Sequence, residues 1–284
     1  MTVGTQNLTE ARQTTTFKMA SASNLGRIAH ALIIVTALRG LGHALKVAFG
    51  PTLHNYRVWR MSEKDRELVF WERQITGVGH DSAKTQAQIN PARHGELVPD
   101  IIKPYLHLIP KAGAVLDVGA GPVSLLSAGC HRGDYTLTAT NLLTESYREM
   151  LTTYGFDSAL EGVKYIACPA EQLSAHLPKN SYDFTWINNA LDYTNSPAAS
   201  FCQLVEVTKP GGHIVVTGHS IEGSNENWRG LHQHDIWLYG GRIMRSGRSG
   251  DTQCLNDNLP VEFVAGVQPR NQYGDMVAVY RKVS

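Results

Sequence analysis

Apolar positions in the first third of the chain follow a helical rhythm. Leu25, Ile28, Leu32, Val35, Leu38, Leu41 and Leu45 recur at three- and four-residue steps, so 25–49 is expected to be a helix that stops at Gly50-Pro51. A second helix is expected from Ser62 to about Thr76. Ser62-Glu-Lys-Asp65 can cap its start, and Phe70-Trp71 supplies a large apolar contact. Residues 77–95, with Gly77, Gly79, Asn90 and Pro91, read as loop, and Pro99–Leu108 as another helix. From Ala114 onward, short apolar runs alternate with helical patterns. Strands are expected at Ala114–Val118, Tyr135–Thr140, Val163–Ala167, Tyr182–Ile187 and His213–Thr217, with helices around Ser146–Tyr154, Glu171–His176 and Pro197–Val207. Such alternation argues for a parallel sheet with helices on both faces. After a long irregular section, the runs Val261–Val267 and Asp275–Lys282 lie too close in sequence for a crossover helix, so they must pair antiparallel.

Composition adds exclusions. A formal charge of +1 gives no global sign of nucleic-acid binding. The four cysteines, Cys130, Cys168, Cys202 and Cys254, are scattered, which supports neither a disulfide framework nor a zinc site and fits buried thiols in a reducing compartment. The start of the chain lacks the order of a secretory signal, and no run has the ~18 apolar residues of a transmembrane helix. A cytoplasmic protein is the expectation. Charge is unevenly spread, because the stretch from Ala11 to Ser62 contains no Asp or Glu. Within it, residues 24–49 read either as a helix docked on a catalytic domain or as a basic amphipathic helix on an anionic membrane surface. Residues 1–23, polar and rich in Thr and Ser, read as a flexible tail, and 24–104 as a helical extension before the main domain, 105–284.

The chemistry starts at Ala114-Val-Leu-Asp-Val-Gly-Ala-Gly-Pro-Val-Ser-Leu-Leu126, a buried strand, a glycine turn and the start of a helix. Gly119 and Gly121 allow a sharp bend and close approach to a ligand, at the sheet edge where open α/β folds bind cofactors. The dinucleotide fingerprint would have Gly or Ala where this chain has Ser124, and it does not include the early acid Asp117. Further along come Tyr182-Asp-Phe-Thr-Trp-Ile-Asn-Asn-Ala-Leu-Asp-Tyr193 and Val207-Thr-Lys-Pro-Gly-Gly-His-Ile-Val-Val216.

In this order the segments resemble the class I S-adenosylmethionine (SAM) methyltransferase family, from about Tyr105 to Ser284. Asn225-Glu-Asn-Trp-Arg-Gly-Leu-His-Gln233 is similar to a phrase in a bacterial subgroup of these enzymes. The resemblance implies an α/β, Rossmann-like fold of five parallel strands closed by a C-terminal antiparallel hairpin. It also implies SAM as cofactor, held at Gly119, Ala120 and Gly121, with Asp117 facing the cofactor's ammonium or supporting the loop. The end of strand 2 would meet the ribose. The family offers an Asp or Glu there, and this chain has Asn141, followed by Leu142, with Glu145 a turn further on. Ala170-Glu171 would lie at the adenine, and Asn188 and Asn189 beside the sulfonium.

Methyl transfer to an alcohol also needs a base. His219 ends the fifth strand, and Glu222, Glu226, His232, His234 and Asp235 follow it. His219 and His232 are the candidate bases, with Asp192 able to orient one of them. Trp228, Tyr193 and Trp71 are candidates to hold the acceptor. His219, His232, Asp192 and Asp235 have suitable ligand types for a metal, but no spacing supports a site and none is expected. The expected acceptor is a sugar or glycan hydroxyl. A small metabolite or amine is the alternative, and a SAM-binding regulatory subunit without catalysis is the alternative of another class. Nucleic-acid acceptors are not expected.

Overall fold

The computed structural model describes residues 62–80, 82–89, 100–269 and 274–284. The basic segment 24–49 and the tail 1–23 lie outside the described residues, so neither reading of that segment is addressed. Among the described residues no helix is long and apolar enough to cross a membrane.

Seven strands form the central sheet: β1 (Gly113–Val118), β2 (Tyr135–Asn141), β3 (Lys164–Ala167), β4 (Tyr182–Asn188), β5 (Thr208–His219), β9 (Val261–Val267) and β10 (Asp275–Lys282). Their order is β3-β2-β1-β4-β5-β10-β9. The first five run parallel. The chain's last strand, β10, inserts antiparallel between β5 and β9. The order reverses between β1 and β4, which opens a crevice beyond their carboxyl ends.

Period-two alternation assigns each strand's side chains to two cores. Leu116, Val118, Ile187, Ile214, Val216, Ala278 and Tyr280 face one side and pack with Phe201 and Leu204 of the helix Pro197–Val207. Val115, Phe184, Trp186, Val215, Val277 and Val279 face the other, against Ile102 and its neighbours. That both faces are covered explains why the strands read as nearly continuous apolar runs.

Before the sheet lie α1 (Glu63–Ile75) and α2 (Ser82–Ile89). Ser62 caps α1 by accepting the Asp65 amide, as the sequence predicts. Ile75 and Ile89 pack with Val123 beside the glycine turn and with Leu151 of the helix Thr144–Thr153, so both helices dock beside that turn. Other helices are α3 (Ser127–His131), α4 (Thr144–Thr153), α5 (Leu173–His176), α6 (Pro197–Val207) and α7 (Glu222–Asn225).

Several expectations need correction. The expected loop 77–95 contains α2. The expected helix Pro99–Leu108 is a 3-10 segment, Lys103–Leu108, with Pro104 at its start. The helix expected at Glu171–His176 is a 3-10 turn, Ala170–Gln172, followed by the single turn α5. The irregular section after the fifth strand holds a separate antiparallel sheet of β6 (His234–Tyr239), β7 (Arg242–Gly247) and β8 (Thr252–Cys254). Gly240-Gly241, both at positive φ, joins β6 to β7 as a tight two-residue hairpin turn.

Candidate active site

A cavity of about 750 Å³ occupies the crevice where strand order reverses, within the size range of small-molecule sites. Gly119, Ala120 and Gly121 form one wall. Gly119 has φ +73°, and a Cβ there would lie 2.4 Å from the Cβ of Ala190, in the turn after β4. Only glycine fits both the backbone and the space. Gly121 has φ +65°, and the Trp71 ring of α1 closes over it. Beneath the turn, buried Asp117 accepts a hydrogen bond from Ser124 Oγ at 2.5 Å. Ser124 Oγ also accepts the Leu126 amide. Burial, only partly offset by the Ser124 hydrogen bond, pushes the Asp117 carboxyl up to about 7. Asp117 does not line the cavity, so of its two expected roles the geometry matches support of the loop.

Asn141 lines the cavity at the end of β2. Its Oδ1 accepts the Leu143 amide at 2.8 Å, which leaves the side-chain NH₂ for a ligand. Glu145 instead pairs with Arg148 and stays exposed. Leu142 is exposed and off the cavity lining, and the half-buried Ala170 and Glu171 are off it too. The Glu171 carboxylate is taken up by the amides of Asn195 and Ser196, which lead into α6.

The opposite wall begins with Asn188 and Asn189. Asn188 Oδ1 accepts from Thr217 Oγ1, which in turn accepts from Trp186 Nε1. Asn189, at φ +48°, uses its Oδ1 to accept the His219 amide at 3.1 Å. The His219 ring meets Asp275 through Nδ1 at 2.8 Å. That hydrogen bond raises the His219 pKa, with further help from the charges of Asp275, Glu222 and Asp192.

His232 Nδ1 lies 2.9 Å from Asp192 Oδ2 and 3.7 Å from Glu222 Oε2. Its Nε2 is 3.2 Å from the Tyr193 hydroxyl, with the two rings edge to face. Burial alone would lower the His232 pKa, but the Asp192 bond and the nearby carboxylates outweigh it and the net shift is upward. Burial and repulsion from Asp192 push Glu222 up to about 7. Glu67 of α1 is also raised, first by burial, and accepts Trp71 Nε1 at 2.8 Å.

The structure therefore gathers Gly119, Ala120, Gly121, Asn141, Asn188 and Asn189 on one cavity with Trp71, Tyr193, His219 and His232. Asp192 stands behind His232. Trp228 is not on the lining: its ring lies over Gly223 and packs its own loop. Asp235, expected among the ligand types, is bound to Ser224 through both carboxylate oxygens. Sequence reasoning missed Asp275 and gave Glu222 no role. The signal for Asp275 is the antiparallel partnership of the last strand with β5, which sets Asp275 opposite His219.

Residues 116–216, about a third of the chain, match the family model described as a methyltransferase domain. Over these residues the chain carries a methyltransferase domain. No curated relative matches it. Among solved structures, the chain is similar to a 1,6-didemethyltoxoflavin-N1-methyltransferase from Burkholderia thailandensis with bound S-adenosylhomocysteine (15% identity, TM-score 0.42, 76% of this chain and 88% of that one). It is also similar to a SAM-dependent methyltransferase from Clostridium acetobutylicum (10%, 0.46, 67% and 92%). A third is an N-methyltransferase from Bradyrhizobium japonicum in complex with S-adenosylhomocysteine (14%, 0.43, 68% and 87%). The glycine turn exposed on the wall of a cavity large enough for a nucleoside with a second small molecule fits SAM as cofactor.

Proposed function

We propose that this methyltransferase acts on a hydroxyl of a small polar acceptor, a sugar or glycan hydroxyl in the first instance, with His219 as base. The observation that carries the reading is the His219–Asp275 pair on the cavity wall. A neutral alcohol is a poor nucleophile near pH 7 and needs its proton removed as it attacks. Bound SAM supplies an activated methyl group. Gly119–Gly121 and Asn188 would hold its amino-acid end, and the Asn141 amide its ribose. Asp275 fixes the His219 ring through Nδ1, leaving Nε2 to take the acceptor's proton, while Asn189 fixes the backbone. His232 has both ring nitrogens engaged, so its part is to hold the Tyr193 hydroxyl in place. Trp71 and Tyr193 offer flat faces to a sugar ring. In this reading α1 covers the acceptor side of the site.

A second reading, an amine acceptor, is favoured by the carboxylates of Glu63, Glu67, Glu222 and Glu226 on the same cavity. An amine needs little help from a base. The test is turnover with SAM and panels of sugars and amines, following S-adenosylhomocysteine. His219→Ala abolishing turnover on a hydroxyl substrate supports the first reading. Turnover on amines alone, indifferent to His219, supports the second.

A further inference from the structure

We propose that Asp192, Glu222 and His232 form a divalent-metal site on the acceptor side of the cavity, a conclusion that goes beyond the hydroxyl reading. The three residues come from separate places: the turn after β4, the first residue of α7 and the loop before β6. Their ligand atoms nevertheless lie within 4.8 Å of one another. Each is held from behind. The Asp192 carbonyl accepts the Gln233 amide, which ties the β4 turn to the His232 loop. Tyr193 engages His232 Nε2, so Nδ1 is the nitrogen turned to both carboxylates. An outer partner on one imidazole nitrogen that orients the other is a common feature of metal-binding histidines. Ile221, in the left-handed region at φ +50°, sets the direction in which Glu222 enters.

The charge balance points the same way. Asp192 is buried, and Glu222 Oε2 is shut off from solvent without a hydrogen bond among the described residues, its nearest cation the His232 ring at 3.7 Å. A proton on His232 can offset one of these carboxylates but not both. Two buried carboxylates sharing one imidazolium leave an uncompensated charge, which is costly. A dication bound by two carboxylates and a neutral imidazole leaves no net charge. The mixed oxygen and nitrogen set suits Mn²⁺, Co²⁺ or Zn²⁺ better than Ca²⁺, which prefers oxygen alone. Glu222 and His232 both line the cavity, so a metal held by them would be accessible to the acceptor. An acceptor hydroxyl bound there would be oriented and made more acidic.

The test needs no turnover, so its failure is separate from failure of the hydroxyl reading. The full-length protein, stripped with a chelator and dialysed, is titrated with MnCl₂ by calorimetry and by Mn²⁺ paramagnetic resonance, and with ZnCl₂ in parallel. The expected result is one saturable site. Glu222→Gln should weaken it by more than the roughly 10–100-fold typical of losing a supporting residue. That variant removes no hydrogen bond from Oε2, so its fold should persist, and a thermal melt checks this. Glu222→Asp should recover part of the affinity. Absence of saturable binding by either metal, or equal affinity in Glu222→Gln, overturns the proposal. Binding of tetramethylammonium at the cluster without metal binding likewise overturns it and assigns these carboxylates to a cationic acceptor.

Discussion

His219 and Asp275 stand opposite each other at the ends of β5 and β10, and their side chains meet at 2.8 Å. The antiparallel insertion of the last strand thus brings an acid from near the end of the chain to a histidine on the wall of the cofactor crevice. Fold topology builds this pair, and no local motif announces it.

The pair sets the pH dependence. A base works when neutral. The Asp275 hydrogen bond raises the His219 pKa, and Glu222 and Asp192 add to the shift, while the same hydrogen bond lowers the Asp275 pKa, with a smaller contribution from the Lys84 charge. Turnover should therefore rise with pH through an inflection above the ordinary imidazole value of ~6.5. Asp275→Asn should move the inflection down. His219→Ala should lower turnover about 10²–10⁴-fold with SAM affinity nearly unchanged. An inflection that stays put in Asp275→Asn would show that another group titrates.

Gly119 is the next test. Alanine there meets both a left-handed backbone angle, costing roughly 1–2 kcal/mol, and the Ala190 methyl 2.4 Å away. Either the glycine turn or the β4 turn must shift, and both line the cofactor cavity. Gly119→Ala should lose most SAM affinity by calorimetry while keeping the far-ultraviolet dichroism of the fold. Wild-type affinity would remove the turn from the cofactor site.

Asn141 offers a gain. Its Oδ1 is spent on the Leu143 amide, so only the NH₂ is free. In Asn141→Asp one carboxylate oxygen can keep that amide and the other can accept two ribose hydroxyls through charge-assisted bonds. SAM affinity should hold or improve, whereas Asn141→Leu should cost roughly 1–3 kcal/mol. Equal affinity in all three proteins would place the ribose elsewhere.

The parallel strands and the glycine turn were legible because buried strands leave continuous apolar runs between turn residues. Asn189 and His219 were legible as strand-end positions. Asp275 was not, because the two C-terminal strands can be paired with each other from sequence while the insertion of β10 beside β5 depends on tertiary packing. The small sheet β6–β8 was missed although Gly240-Gly241 marks its hairpin. Its strands are partly exposed and carry charges, so their alternation is blurred. Glu171 and Trp228 illustrate the opposite error. Each is chemically suited to a ligand, but one is consumed by the amides leading into α6 and the other by the packing of its own loop.

Asp117 yields a prediction about stability. Its carboxyl is pushed up to about 7 in the fold from an ordinary 3.8. Between those values the folded state keeps a proton that the unfolded chain releases. Raising the pH through this window therefore destabilises the protein by up to about 1.4 kcal/mol per unit from this group, and above it the effect is constant. Asn at the same position cannot ionise, yet its carbonyl can still accept from Ser124 Oγ. Urea melts of wild type and Asp117→Asn at pH 5 and pH 8 isolate the term, because every other titration is shared. The stability of the variant relative to wild type should improve by a few kcal/mol between the two pH values. A difference that does not change with pH would mean that Asp117 is already ionised in the fold, stabilised by more than the single Ser124 hydroxyl.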